Sequence, residues 1–159
     1  MECDWPNCPR YFRNNYENLK TKFAGAENIE NNWSQSMQDI FVMSMLDGKR
    51  NGVYVEIGAD QPRVISNTYL LENNFDWSGV SFELDADKVA FFNTIRKNKC
   101  LCEDATLYNY KSLFEELNYP KQIDYLQLDI DPAEGTLRAL KVLPLDDYRF
   151  SVITYETDV

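Results

Sequence analysis

Gly52-Val53-Tyr54-Val55-Glu56-Ile57-Gly58-Ala59-Asp60 decides the reading of this chain. A short run of β-branched and aromatic residues bounded by glycines fits a strand buried on both faces, with Gly58 supplying a turn at its carboxyl end. The same grammar recurs outward from it. Gly79–Leu84 reads as a second strand ending in acid, and Lys99–Cys102 as a short third that closes at Glu103-Asp104-Ala105-Thr106. Ile123–Asp131 is a fourth strand and Phe150–Tyr155 a fifth.

Helical stretches fall between these strands. They cover 66–74, then 87–98 with Val89, Phe92 and Ile95 inward and basic residues in the last turn, where the helix dipole favours them. Two more cover 111–118, punctuated by Pro120, and 133–142. Ahead of the first strand, Ser36 with Asp39 marks a helix start. Met37, Ile40, Phe41, Met45 and Leu46 form its apolar face, and Gly48 ends it. Strand and helix alternate five times at intervals of about 20–30 residues, the pattern of right-handed βαβ crossovers. The expected fold is α/β and Rossmann-like: a doubly wound, mostly parallel sheet with helices on both faces.

Composition narrows the function. At 159 residues the chain fits one domain of the usual 100–200 or so. Residues 33–159 form its body, and residues 1–32 an extension in which Tyr11, Phe12, Tyr16, Leu19 and Phe23 recur at helical spacing. Sixteen basic against twenty-six acidic side chains leave a net charge of −10, which argues against nucleic acid and anionic membrane as partners. The most basic segment, Arg96-Lys97-Asn98-Lys99, reads as a solvated helix end. No apolar run reaches the roughly 18 residues of a membrane span and no leader pattern is visible, so a cytoplasmic protein is expected. Cys3, Cys8, Cys100 and Cys102 do not match zinc-knuckle spacing and read as reduced thiols. There is no histidine, which excludes imidazole-based nucleophilic catalysis, acid–base work and metal ligation.

In open α/β sheets ligands bind outside the carboxyl ends of the strands. Gly58 lets backbone approach a ligand there, and Glu83 at the next strand end can accept hydrogen bonds from a ribose diol. A pyrophosphate is a poor match, because neither G-x-G-x-x-G nor G-x-x-x-x-G-K-[ST] is present and the turn is acidic. A ribose-bearing, phosphate-free, cationic cofactor fits best, and S-adenosylmethionine has those properties.

An ordered set of motifs supports this. It comprises Ser34-Gln35-x-x-Gln38-Asp39, Val55-Glu56-Ile57-Gly58-Ala59, Ser66-Asn67-Thr68-x-x-Leu71-Glu72 and Trp77-x-Gly79-Val80-x-x-Glu83. Leu128-Asp129-Ile130-Asp131-Pro132 and Ile153-Thr154-Tyr155-Glu156-x-Asp158 complete it. Over residues 33–159 the chain resembles the FkbM family of S-adenosylmethionine-dependent methyltransferases. The resemblance implies a class I methyltransferase sheet that methylates oxygen of a sugar or small metabolite. It places Glu56, Gly58, Ala59 and Asp60 at the cofactor turn, Glu83 on the ribose hydroxyls, and Glu103, Asp104 and Ala105 around the adenine. Gln38, Asn67 and Thr68 would close over the methionine portion, and Asp129 would stand at the reacting methyl.

With no histidine, a hydroxyl acceptor must lose its proton to a carboxylate or a bound cation. Asp129, Asp131 and Glu156 are the catalytic candidates. Together with Asp158 they form a candidate Mg²⁺ site of hard oxygen ligands. Members of the family continue past the fifth strand with an antiparallel pair. The expectation for this chain is therefore a sheet lacking those strands, its fifth strand an edge that a second copy could cover. Two alternatives stand beside the methyltransferase: a cofactor-binding domain without turnover, and a non-enzymatic α/β interaction module.

Overall fold

The computed structural model describes residues 19–157. It contains a five-stranded sheet in the order β3-β2-β1-β4-β5, with every neighbouring pair parallel. The strands are β1 (Val53–Ile57), β2 (Ser78–Glu83), β3 (Lys99–Cys102), β4 (Gln122–Leu128) and β5 (Arg149–Tyr155). The helices are α1 (Gln38–Met45), α2 (Tyr69–Phe75), α3 (Ala86–Ile95), α4 (Tyr110–Glu116) and α5 (Ala133–Val142). This is a Rossmann-like α/β arrangement. The strand order reverses beside β1, which sits centrally with β2 on one side and β4 on the other.

Side-chain alternation along β1 splits the core into two layers. Tyr54 faces Tyr125, Leu70, Leu71, Phe75, Trp77 and Met43, all buried. Val55 and Ile57 face the opposite way, onto Val80, Phe82, Leu126, Leu128, Phe114 and Ala139. Both layers are closed by helices, so the sheet is doubly wound. Phe23, Ala26 and Ile29 lie within the first layer. Residues 23–29 therefore belong to the domain, built around a short 3-10 turn at Ala26–Asn28. The helical periodicity expected for the amino-terminal segment falls mostly outside the described residues, as do Cys3 and Cys8. No described helix is long and apolar enough to cross a membrane.

Element ends differ from the sequence reading in ways that matter for the site. α2 starts at Tyr69 because Ser66 Oγ accepts the backbone N–H groups of Thr68 and Tyr69. α3 starts after Asp85, whose carboxylate accepts from the N–H groups of Asp87 and Lys88, and it stops at Ile95. The basic segment is thus not the last turn of α3, and Arg96 is not solvated. Arg96 caps the helix with extended backbone and turns its side chain inward, where it is wholly buried. β4 ends at Leu128, so Asp129–Asp131 form a turn into α5. Thr136 Oγ1 fixes that turn by bonding both the N–H and the carbonyl of Ile130.

Candidate functional site

The carboxyl ends of all five strands open into one cleft of about 540 Å³, within the range of ligand pockets. β1 contributes Gly58 and Asp60, and β2 contributes Phe82, Glu83 and Leu84. Glu103–Thr106 line it beyond β3, Asp129–Asp131 beyond β4, and Glu156 beyond β5. Gln35, Ile65 and Lys88 complete the wall.

Gly58 is needed for its lack of a side chain. Its φ is +83°, and a Cβ there would stand 1.7 Å from the carbonyl oxygen of Asp129. The turn is pinned to both neighbours: the N–H groups of Gly58 and Ala59 bond Phe82 O, and Asp129 N–H bonds Ile57 O. Glu156 is set beside them by its own N–H to Leu128 O.

Glu83 is held by backbone. Its Oε1 accepts from the N–H groups of Leu84 and Asp85 at 2.9 and 3.0 Å, and its Oε2 from Asp60 N–H at 3.0 Å. A carboxylate offers about four acceptor positions, so three are filled and one remains at Oε2. A single ribose hydroxyl can be met there, rather than the pair expected from the sequence.

Asp60 is bound by Lys88, and that hydrogen bond raises the lysine pKa. Asp104 turns its Oδ1 to the N–H and hydroxyl of Thr106, which lowers its pKa and leaves Oδ2 for a ligand. Seven carboxylates (Asp60, Glu83, Glu103, Asp104, Asp129, Asp131 and Glu156) thus face one lysine. Such a lining repels phosphate and favours cationic or polyhydroxyl ligands.

Five residues expected at the cofactor stand elsewhere. Glu56 lies beneath the cleft, 1% exposed, with Oε1 accepting from Thr68 Oγ1 at 2.9 Å and Oε2 from Ser81 Oγ at 2.6 Å. Thr68 is consumed by the same contact and by Arg96. Ala59 is buried behind the turn. Gln38 closes the start of α1 by accepting Ser36 N–H at 2.8 Å. Glu56, Ala59 and Thr68 point into the protein rather than out of its rim, whereas Gln38 is taken up by the start of its own helix. Asn67 is also buried, and its Oδ1 has no partner among the described residues. Gly58, Asp60, Glu83, Asp104, Ala105, Asp129, Asp131 and Glu156 do meet at the cleft.

Magnesium is a different matter. Among the described residues no three acidic or thiol groups stand close enough to hold a metal ion. Because β4 ends at Leu128, Asp129, Asp131 and Glu156 spread along the rim instead of converging. Asp158 lies outside the described residues. Among the described residues the cation site is not assembled.

Beneath the cleft runs a polar network that the sequence did not disclose. Arg96 pairs with Glu72 at 2.9 Å, and the Tyr54 hydroxyl and Asn98 join them. Burial pushes the Glu56 carboxyl above the usual carboxylate range, although Arg96, Ser81 and Thr68 pull it back. The sign follows from linkage: a carboxyl whose folded pKa is raised stabilises the protein fully below its unfolded value of about 4.3 and loses that contribution as pH rises. Glu56→Gln should therefore gain stability relative to the wild type as pH rises above that unfolded value, read from urea midpoints. A difference independent of pH would contradict the buried assignment. On the far side of this network, burial pushes the Cys100 thiol up to about 12, which leaves it unreactive.

Lys88 and Ile65 are among the cleft residues that were missed. Lys88 stands in the first turn of α3, a position that the start of a helix after a strand end could have flagged. Ile65 has a φ of +59° and is bridged to Ser34, and nothing in the sequence marks it. A β-branched residue in that region stores about 1–3 kcal/mol of strain. Compared with family models, with curated proteins and with solved structures, the chain finds no match.

Proposed function

We propose that the cleft binds S-adenosylmethionine and that the protein is a methyltransferase acting on a hydroxyl of a sugar or other small metabolite. The observation that carries this reading is the acid-rich cleft across the strand ends, with a backbone-fixed carboxylate, Glu83, at the tip of β2. The donor chemistry of these residues fits the cofactor. Glu83 Oε2 would take a ribose hydroxyl, Asp104 and Ala105 would border the base, and Asp129 would offset the charge of the amino-acid end.

When bound, the cofactor supplies an activated methyl group for in-line displacement. The chain's own task is alignment and proton removal. Asp129, Asp131 and Glu156 line the acceptor end, where a carboxylate takes the hydroxyl proton. The turn that carries Asp129 is tied to Ile57, and the Gly58 turn beside it to Phe82, so one linked unit would align donor and acceptor.

Calorimetry with S-adenosylhomocysteine tests the reading. Micromolar binding by the wild type should weaken in Glu83→Ala by about 1.5–3 kcal/mol, or roughly 10–150-fold. No heat from the wild type at millimolar ligand would sink the cofactor assignment, and an unchanged affinity in the folded variant would sink the role of Glu83.

A further inference from the structure

We propose that Arg96 is the positioning residue of the cleft: it holds the β1–α2 loop, residues 58–68, in the strained shape that presents Asp60 and Ile65 to a ligand. The proposal rests on the cofactor reading of the cleft, although its structural half is testable without ligand.

A guanidinium has five N–H donors in a planar fork. All five of Arg96 are used. Nε bonds Glu72 Oε2, Nη1 bonds Pro62 O at 3.0 Å and Ser66 Oγ at 3.2 Å, and Nη2 bonds Tyr54 OH at 3.0 Å and Thr68 Oγ1 at 2.9 Å. Three of these acceptors belong to the loop. Pro62 and Ser66 bracket Ile65, the residue whose backbone is strained, from either side. A strained conformation persists only where its surroundings over-determine it, and here one buried cation ties both flanks to α2 and β1. Arg96 Cζ lies over the Phe92 ring, 4.8 Å from its centroid, so the ring packs against the fork. Lys at this place keeps the charge beside Glu72 but cannot span the loop, because an ammonium lacks the fork. Arg96 reaches no wall of the cleft, and its influence passes through the loop alone.

Amide hydrogen exchange on the ligand-free protein tests this, paired with S-adenosylhomocysteine calorimetry on the same samples. In Arg96→Lys, exchange over residues 60–67 should rise about tenfold while α4 and α5 keep wild-type protection. Affinity should fall by about tenfold with it. Adding Ile65→Gly removes the strain, so the double variant should recover most of both. Unchanged loop exchange in Arg96→Lys, uniform loosening of every element, or no recovery in the double variant would each overturn the proposal. If Arg96→Lys does not fold, Ile65→Gly alone decides: its melting midpoint should hold or rise, and a fall beyond about 5 °C would overturn it. A wild type that binds no S-adenosylhomocysteine refutes the cofactor reading, while the exchange data still judge Arg96.

Discussion

Gly58→Ala is expected to cost about 3–5 kcal/mol of stability and to abolish ligand binding in whatever remains folded. Two costs add. The left-handed backbone at +83° penalises any Cβ by about 1–2 kcal/mol. The new methyl would also meet the Asp129 carbonyl at 1.7 Å, a contact that no rotamer can relieve because both partners are backbone. Either the β1 turn or the β4 turn must move. They are bonded to each other and to β2, so the displacement reaches Glu83 and Asp129 together. Urea denaturation should show the midpoint falling with little change in slope. A loss under about 1 kcal/mol would mean that the two turns are not in contact as described.

Glu72→Ala should be comparably damaging, for electrostatic reasons. Glu72 is buried and accepts from Arg96 Nε, Lys97 N–H and Asn98 Nδ2. Truncation leaves Arg96 Nε and Lys97 N–H without an acceptor, while Asn98 keeps Tyr54 OH and Trp77 O, and it removes the carboxylate paired with a wholly buried guanidinium. Breaking a buried pair from one side costs about 3–5 kcal/mol. Because the pair is shielded from solvent, the loss should persist at high salt, unlike that of an exposed pair such as Arg50–Asp76. A loss that fades in molar salt would contradict the buried geometry.

Much of the scaffold was legible in the residues. Lys99–Cys102 and Ala133–Val142 match the observed β3 and α5, and β1, β2 and β5 shift by a residue or so. Apolar runs closed by glycine or acid mark strands because parallel strands bury both faces. Glu56 and Arg96 were misread for one reason. A strand pattern tells which side chains share a face, but not what the opposite wall supplies. A glutamate inside an apolar strand requires a buried partner. Its hydrogen-bond partners, Thr68 and Ser81, lay in other elements, and the charge that offsets it, Arg96, lay in a segment whose basic run looked solvated. At the rim the case reverses: Glu83 was read at a strand end and does line the cleft, whereas Asp129, which lines it too, was singled out by the family resemblance. β4 was read as running to Asp131 but ends at Leu128, so Asp129 and Asp131 leave the sheet in a turn rather than in line along a strand.

An all-parallel sheet has a consequence for how the chain is made. No neighbouring strands can close through a hairpin, so each pairing awaits a crossover. Val53 finds Asp124 only across 71 positions of chain. While the polypeptide emerges from a ribosome, β1 can zip onto β2 early, yet its other flank stays bare until Gln122–Leu128 has cleared the tunnel. That bare flank belongs to the most apolar strand of the fold. Nascent chains halted between these two strands are where a chaperone would find most to hold.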